Sequence, residues 1–207
     1  MKEKNVEIIS VAQDTGGVKD AGKWITDAKA TYTVLIDQEH LVSKLYHMVN
    51  VPTGVWINEQ GRIVRPNEVA FVDDRFRKFT DLDSAPYIEA LKDWAEKGDK
   101  STFVMSEDRL RAKLAPPDPN LALAAAEFGL GEQLYKSGHG AEAIPHFKEA
   151  QRLNPKSWNY KRQAYALSSE KDYGTTFLEE VQKTGGSKVY YAPPELPKTS
   201  DAGDKKP

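Results

Sequence analysis

The chain has 207 residues, enough for one full domain and a smaller one, and its 29 basic and 31 acidic side chains leave a net charge of −2. Such a balance gives no electrostatic footprint for nucleic acid or an anionic membrane surface. There is no cysteine, which excludes disulfides, thiolate nucleophiles and Cys-ligated zinc. No apolar run approaches the ~20 residues that span a bilayer, and the stretch from Val6 to Val11 is too short for a signal-peptide core. The chain as written is therefore expected in the cytoplasm.

Val6 to Ala12 is a β-branched run that ends at the loop Gln13-Asp14-Thr15-Gly16-Gly17, and it reads as a buried parallel strand. Ala21, Trp24, Ile25 and Ala28 recur at the spacing of one apolar helix face. Thr33-Val34-Leu35-Ile36-Asp37 is a second strand, with Asp37 able to cap the helix after it. Leu41, Val42, Leu45, Met48 and Val49 form that helix's apolar stripe. Pro52 has no N–H and holds Val51 extended, so it ends that helix and opens a strand from Gly54 to Asn58, apolar enough for burial on both faces. Asn58-Glu59-Gln60-Gly61 is a turn, with φ > 0 open to Gly61, and Arg62 to Arg65 returns as an edge strand. Strands alternating with helices argue for an α/β layer with parallel pairing, closed by an antiparallel hairpin.

From Arg65 to Asp83 the chain is irregular and charged, with Phe71, Phe76 and Phe79 as expected core anchors. Ser84-Ala85-Pro86 opens a helix whose apolar face is Tyr87, Ile88, Leu91, Trp94 and Ala95, ended by Gly98. A short helix is expected from Ser106 to Leu114, before the stiff linker Ala115-Pro116-Pro117-Asp118-Pro119. Beyond the linker the apolar period is helical throughout, and from Ala192 to Pro207 the composition reads as a disordered tail.

Two resemblances emerge. V-E-I-I-S-V-A-Q-D, the tryptophan-bearing helix, T-V-L-I-D, L-V-S-K-L-Y-H-M-V and V-P-T-G-V-W-I-N-E-Q-G-R-I-V resemble the second half of a thioredoxin-like domain, closest to the TlpA/ResA-like and peroxiredoxin-related redoxins. The similarity runs from Val6 to Arg65, with an extension through the helix near Pro86 to Lys97. In that family the matching proline is cis and faces a redox dithiol, and the residue before it offers its backbone to an extended substrate. The resemblance thus makes Val51, Pro52 and Thr53 substrate-binding residues and implies the function of a thiol–disulfide oxidoreductase or antioxidant redoxin. Leu130-Gly131, Gly138, Ala143, Phe147, Ala150 and Pro155 resemble one tetratricopeptide repeat over Ala124 to Ser157, followed by a helix from Trp158 to Leu167. Glu127 and Leu134 depart from the residues usual in that repeat.

The expected organisation is α/β then all-α: a truncated thioredoxin-like domain over 1–100, a helix and Pro-rich linker over 101–119, a tetratricopeptide-like region over 120–190 and a tail over 191–207. The family's C-x-x-C, its helix and the central strand would all precede Met1. The expectation is of a reading frame started at an internal methionine, with a UGA selenocysteine codon read as a stop as one specific cause. Without a thiol these residues are expected to be catalytically silent, with no catalytic residue, metal or cofactor. The partner class is a protein or peptide, not nucleic acid or membrane. The alternative is a non-enzymatic scaffold that binds a partner segment along the repeat.

Other candidates are weaker. His40 and His47, and His139 and His146, lack the spacing of a zinc-protease helix and are expected at the surface or partly buried. Gly16-Gly17 and Gly185-Gly186 have no phosphate-loop context, and Asp73-Asp74 and Glu179-Glu180 read as solvated charge.

Overall fold

A computed structural model describes residues 6–114 and 118–197. In chain order the elements are β1 (Ile9–Gln13), α1 (Val18–Ala28), β2 (Thr33–Asp37), α2 (Leu41–Leu45), β3 (Thr53–Ile57), β4 (Ile63–Val69), α3 (Arg77–Thr80), α4 (Ala85–Lys97), α5 (Glu107–Lys113), α6 (Pro119–Lys136), α7 (Gly140–Leu153), α8 (Trp158–Leu167), α9 (Glu170–Tyr173), α10 (Phe177–Lys183) and α11 (Ser187–Tyr190). The chain is α/β first and all-α after. It falls into two compact units that interleave in sequence: described residues within Glu7–Val51 and Pro116–Gly186 form one, and those within Pro52–Ala115 and Ser187–Pro207 the other. The expected linker residues 115–117, the tail from 198 and the start before Val6 lie outside the described residues.

In the first unit β1 and β2 pair in parallel, Ile9 opposite Thr33 through Gln13 opposite Asp37. The connection runs through α1, as a parallel pair requires. Asp37 caps α2 as its position suggests, its carboxylate accepting the Leu41 and Val42 N–H groups at 3.0 and 2.7 Å. Burial differs from expectation. Ile9 is 59% exposed and Leu35 51%, so the strands are not buried on both faces, and Trp24 is 73% exposed while Ala21 on the same helix is buried. A two-stranded sheet is too narrow to cover a whole helix stripe or to be covered by one.

The helical part of this unit is built on small residues. Asp118 accepts the Asn120 N–H at 2.8 Å and Pro119 opens α6. Gly138, at φ 85°, turns the chain from α6 into α7. Phe128, Ala143, Phe147, Ala150 and Ala164 form the core, with Leu134, Tyr160, Leu167 and Tyr173 packed on it. Tyr160 stacks on Phe128 with ring centroids 4.4 Å apart.

In the second unit β3 and β4 are antiparallel, Thr53 opposite Val69 and Ile57 opposite Ile63. The turn forms as the sequence predicts, with Gly61 at φ 74° and Asn58 Oδ1 accepting the Gln60 and Arg62 N–H groups at 3.2 and 3.0 Å. β3 is half covered, Trp56 buried and Ile57 exposed. Trp56, Val64, Tyr87 and Ala90 form the core, with Leu91, Trp94, Phe103, Val104 and Leu196 against it. Phe76 and Phe79 are exposed rather than core anchors. Phe71 and Phe79 instead meet Tyr191 edge-on, at 5.1 and 6.5 Å. Among the described residues the strands form two two-stranded sheets, β1–β2 and β3–β4, and no strand joins them; the resemblance places the central strand that would do so before Met1. No helix of the described residues is long and apolar enough to cross a membrane.

Candidate functional site

Val51, Pro52 and Thr53 are half-buried and lead directly into β3. Pro52 cannot donate, but its carbonyl accepts the Ala70 N–H at 3.2 Å, which extends the β3–β4 ladder by one bond. The Val51 N–H, which an incoming extended segment would use, is held by Asn50 Oδ1 at 2.8 Å. One of the backbone groups that the resemblance assigns to substrate, the Val51 N–H, is therefore satisfied internally.

A second cluster, in the unit formed by residues 7–51 and 116–186, brings together Thr15, His40 and Glu132. Thr15 lies in the β1–α1 loop, where the Gly16 N–H bonds Asp14 Oδ1 at 2.9 Å. His40 precedes α2 at φ 50°, a left-handed conformation uncommon outside glycine. Glu132 sits on the buried stripe of α6 with Ala124, Phe128 and Gly131. The Thr15 hydroxyl donates to Glu132 Oε1 at 2.5 Å, and its oxygen lies 3.2 Å from His40 Nε2. His40 Nε2 is 3.4 Å from Glu132 Oε1, and the His40 ring meets Phe128 edge-on at 5.4 Å. Glu132 is 3% exposed, His40 4% and Thr15 5%.

Burial sets the charge states. It pushes the Glu132 carboxyl up to about 7, against the Thr15 hydroxyl bond and the Lys136 ammonium, which pull it down. Burial also holds His40 below the usual imidazole range, against the carboxylates of Asp37 and Asp14. Burial thus favours the neutral form of both groups. The tyrosine beside it, Tyr160, is pushed up to about 12 by burial and by Glu132.

The arrangement is not a nucleophile–base–acid relay, in which the acid binds the far imidazole nitrogen. Here Glu132 and Thr15 share Nε2, while His40 Nδ1 is buried with no hydrogen-bond partner among the described residues. Thr15 is also closed to solvent. The cluster is a buried polar tie between the βαβα segment and α6.

His40 is thus buried where its sequence context predicts a surface or partly buried histidine. Of the other histidines, His47 is exposed, His146 Nδ1 pairs with Glu127 Oε2 at 2.7 Å and His139 Nδ1 with Glu142 Oε2 at 2.6 Å. Asp73 pairs with Arg75, Asp74 accepts the Ser84 N–H at 3.0 Å, and Glu179 closes a capping box with Thr176. Among the described residues no group of three or more His, Asp or Glu is placed to hold a metal ion. Comparison with models of known protein families, with curated proteins and with solved structures found no match to the chain.

Proposed function

We propose that the chain is a redoxin-related protein of the thioredoxin-like class whose 207 residues do no thiol chemistry themselves. The observation that carries this reading is the order and pairing of its strands. β1 and β2 are parallel neighbours joined through α1, and β3 and β4 close as an antiparallel hairpin directly after Pro52. Val51, Pro52 and Thr53 are then the substrate-side loop of a redox site whose dithiol this sequence does not contain. Thiol–disulfide exchange needs an attacking thiolate, and no side chain in the sequence can form one. The test is reduction of insulin disulfides by dithiothreitol with and without the purified chain. The expected rate is that of dithiothreitol alone; acceleration would overturn the silent reading.

A second reading is favoured by the packing of α6 on α7. Phe147 closes over Gly131, with Ala143 and Ala150 fully buried beside it, as the tetratricopeptide resemblance implies. Under it the helices serve as a non-enzymatic module that binds a protein or peptide segment.

A further inference from the structure

Every helix start leaves four backbone N–H groups without helical acceptors; at α8 the N-cap Ser157 N–H goes to Asn154 O at 3.1 Å, which leaves those of Trp158, Asn159 and Tyr160. The Ser157 hydroxyl takes one, the Tyr160 N–H, at 3.3 Å. The other two are taken by a single carbonyl from another part of the chain: Trp158 and Asn159 N–H both donate to Val49 O, at 2.6 and 3.2 Å. The Asn159 side-chain amide adds a bond to Met48 O at 3.0 Å. Residues 48–49 thus lie on the start of α8 much as a bound peptide would, read through their backbone. At the other end of the same stretch, His40 covers Phe128 and reaches Glu132 on α6. Between the two attachments runs α2, bracketed by His40 at φ 50° and His47 at φ 52°. Left-handed backbone at two non-glycine residues costs free energy that only surrounding contacts can offset.

We infer that His40–Asn50 is a built-in strap fastened by its two ends to the face formed by Phe128 and Glu132 of α6 and the start of α8, with Leu41 and Leu45 left exposed between them. It holds that face closed to an outside segment until the strap lifts. This rests on the second reading above, that the helices form a binding module. The strap is fastened at two points, the Thr15–His40–Glu132 cluster on α6 and the Met48 and Val49 carbonyls on α8. Either point can be loosened without substituting a residue of the core that Phe128, Ala143, Phe147 and Ala150 form. Lifting it uncovers Phe128 and frees two N–H groups and the Asn159 amide to receive carbonyls from a partner backbone.

The test uses the full chain and two variants, Thr15→Val and Asn159→Ala. Amide hydrogen exchange is read at Trp158 and Asn159, and at Phe147 and Ala150 as a reference. Each variant is expected to lose at least tenfold of the protection at Trp158 and Asn159 with Phe147 and Ala150 unchanged. Unchanged protection at the α8 amides, or an equal loss at the reference amides, would overturn the strap. A synthetic fluorescent peptide of the His40–Asn50 sequence is then titrated against each protein. Binding at least tenfold tighter to Thr15→Val, which keeps the Asn159 amide, than to the parent is expected. A strap shown open by exchange, with no peptide bound, would overturn the binding-module reading and the autoinhibition with it.

Discussion

A Cβ on Gly131 would stand 2.7 Å from the ring of Phe147 and 3.3 Å from the Ala143 carbonyl. Phe147 is 1% exposed and has no room to swing aside. Gly131→Ala therefore gains helix propensity worth about 1 kcal/mol and meets an overpacking cost of about 1–3 kcal/mol. A net loss of roughly 1 kcal/mol is expected. Gly129, two residues earlier on the same helix, is exposed with nothing within 4 Å of such a Cβ. Gly129→Ala should raise stability by about 0.5–1 kcal/mol. Urea unfolding of the two variants checks the pair; equal shifts would mean that the close approach of α6 to α7 is not what holds position 131 to glycine.

Glu132 links stability to pH. In the folded chain its carboxyl keeps its proton up to about pH 7, whereas its ordinary value is 4.5. Between those limits the folded state holds a proton that the unfolded state has lost. The stability from the protonated group is thus fully present below 4.5 and lost as pH rises through about 7. The shift corresponds to roughly 3 kcal/mol at ~1.4 kcal/mol per pKa unit. His40 works in the opposite sense, since its lowered value makes its contribution present above the usual 6.5 and lost as pH falls through its folded value. The two slopes offset each other over part of the range, so the parent profile alone does not isolate Glu132. Subtracting the unfolding free energy of Glu132→Gln from that of the parent does. That difference should fall as pH goes from 4.5 to 7 and level off beyond; a flat difference would show that Glu132 is ionised in the folded chain.

The elements that could be read in the sequence are those whose signals are local. The Asn58–Gly61 turn, Gly98 and the small residues at 131, 143 and 150 each act on their own turn or on the next helix, and each stands where its chemistry suggested. Pro52 opens β3 as expected but does not end α2, which stops at Leu45, short of the Met48 and Val49 that the apolar stripe assigned to it. Periodicity also identifies residues that share a face, such as Ala21 and Trp24 on α1. It says nothing of whether another layer covers that face, and Trp24 stays in solvent. The Thr15–Glu132 bond joins residues 117 apart and has no local signature on the threonine side. One signal was available: a carboxylate on the apolar stripe of α6, four residues after Phe128, needs a polar partner if that stripe is buried. Residues 192–197 read as tail by composition, yet their backbone is claimed by a buried arginine.

That arginine, Arg65, is 1% exposed and uses its guanidinium in three directions. Its Nε donates to Glu68 Oε2 at 2.7 Å, Nη1 to Phe103 O at 2.6 Å and Nη2 to Glu195 O at 2.7 Å. Its guanidinium carbon lies 5.6 Å from the Trp56 ring centroid. Arg65→Ala leaves Glu68 buried without its cation and should cost about 3–5 kcal/mol. Arg65→Lys should recover little, because an ammonium lacks the planar fork that reaches three acceptors. Replacing both partners, as Arg65→Met with Glu68→Leu, should recover much of the loss, since the buried charge goes with them. Chemical unfolding followed by tryptophan fluorescence ranks the three proteins. A single alanine variant as stable as the parent would show that the ion pair is dispensable.

Gly54 and Tyr87 are coupled through a hydroxyl. Tyr87 Oη receives the Trp56 indole N–H at 2.9 Å inside the core of β3, β4 and α4, and a Cβ on Gly54 would fall 2.4 Å from that same oxygen. Tyr87→Phe leaves the buried indole N–H unpaired, at a cost of about 1–3 kcal/mol. Gly54→Ala should cost a similar amount by a different route, pushing the hydroxyl away and breaking the same bond. Because both changes remove one interaction, the losses should not add. The Tyr87→Phe, Gly54→Ala double variant loses the closest clash of the new methyl, leaving Ala70 Cβ at 3.1 Å, and has no further bond to break, so it should be at least as stable as Gly54→Ala alone. A double-mutant cycle by urea unfolding measures this directly, with a coupling of about 0.5–3 kcal/mol expected for residues that share a contact. Additive losses would mean that the alanine methyl is absorbed by a shift of the strand, and that Gly54 is not kept for the sake of the Trp56–Tyr87 bond.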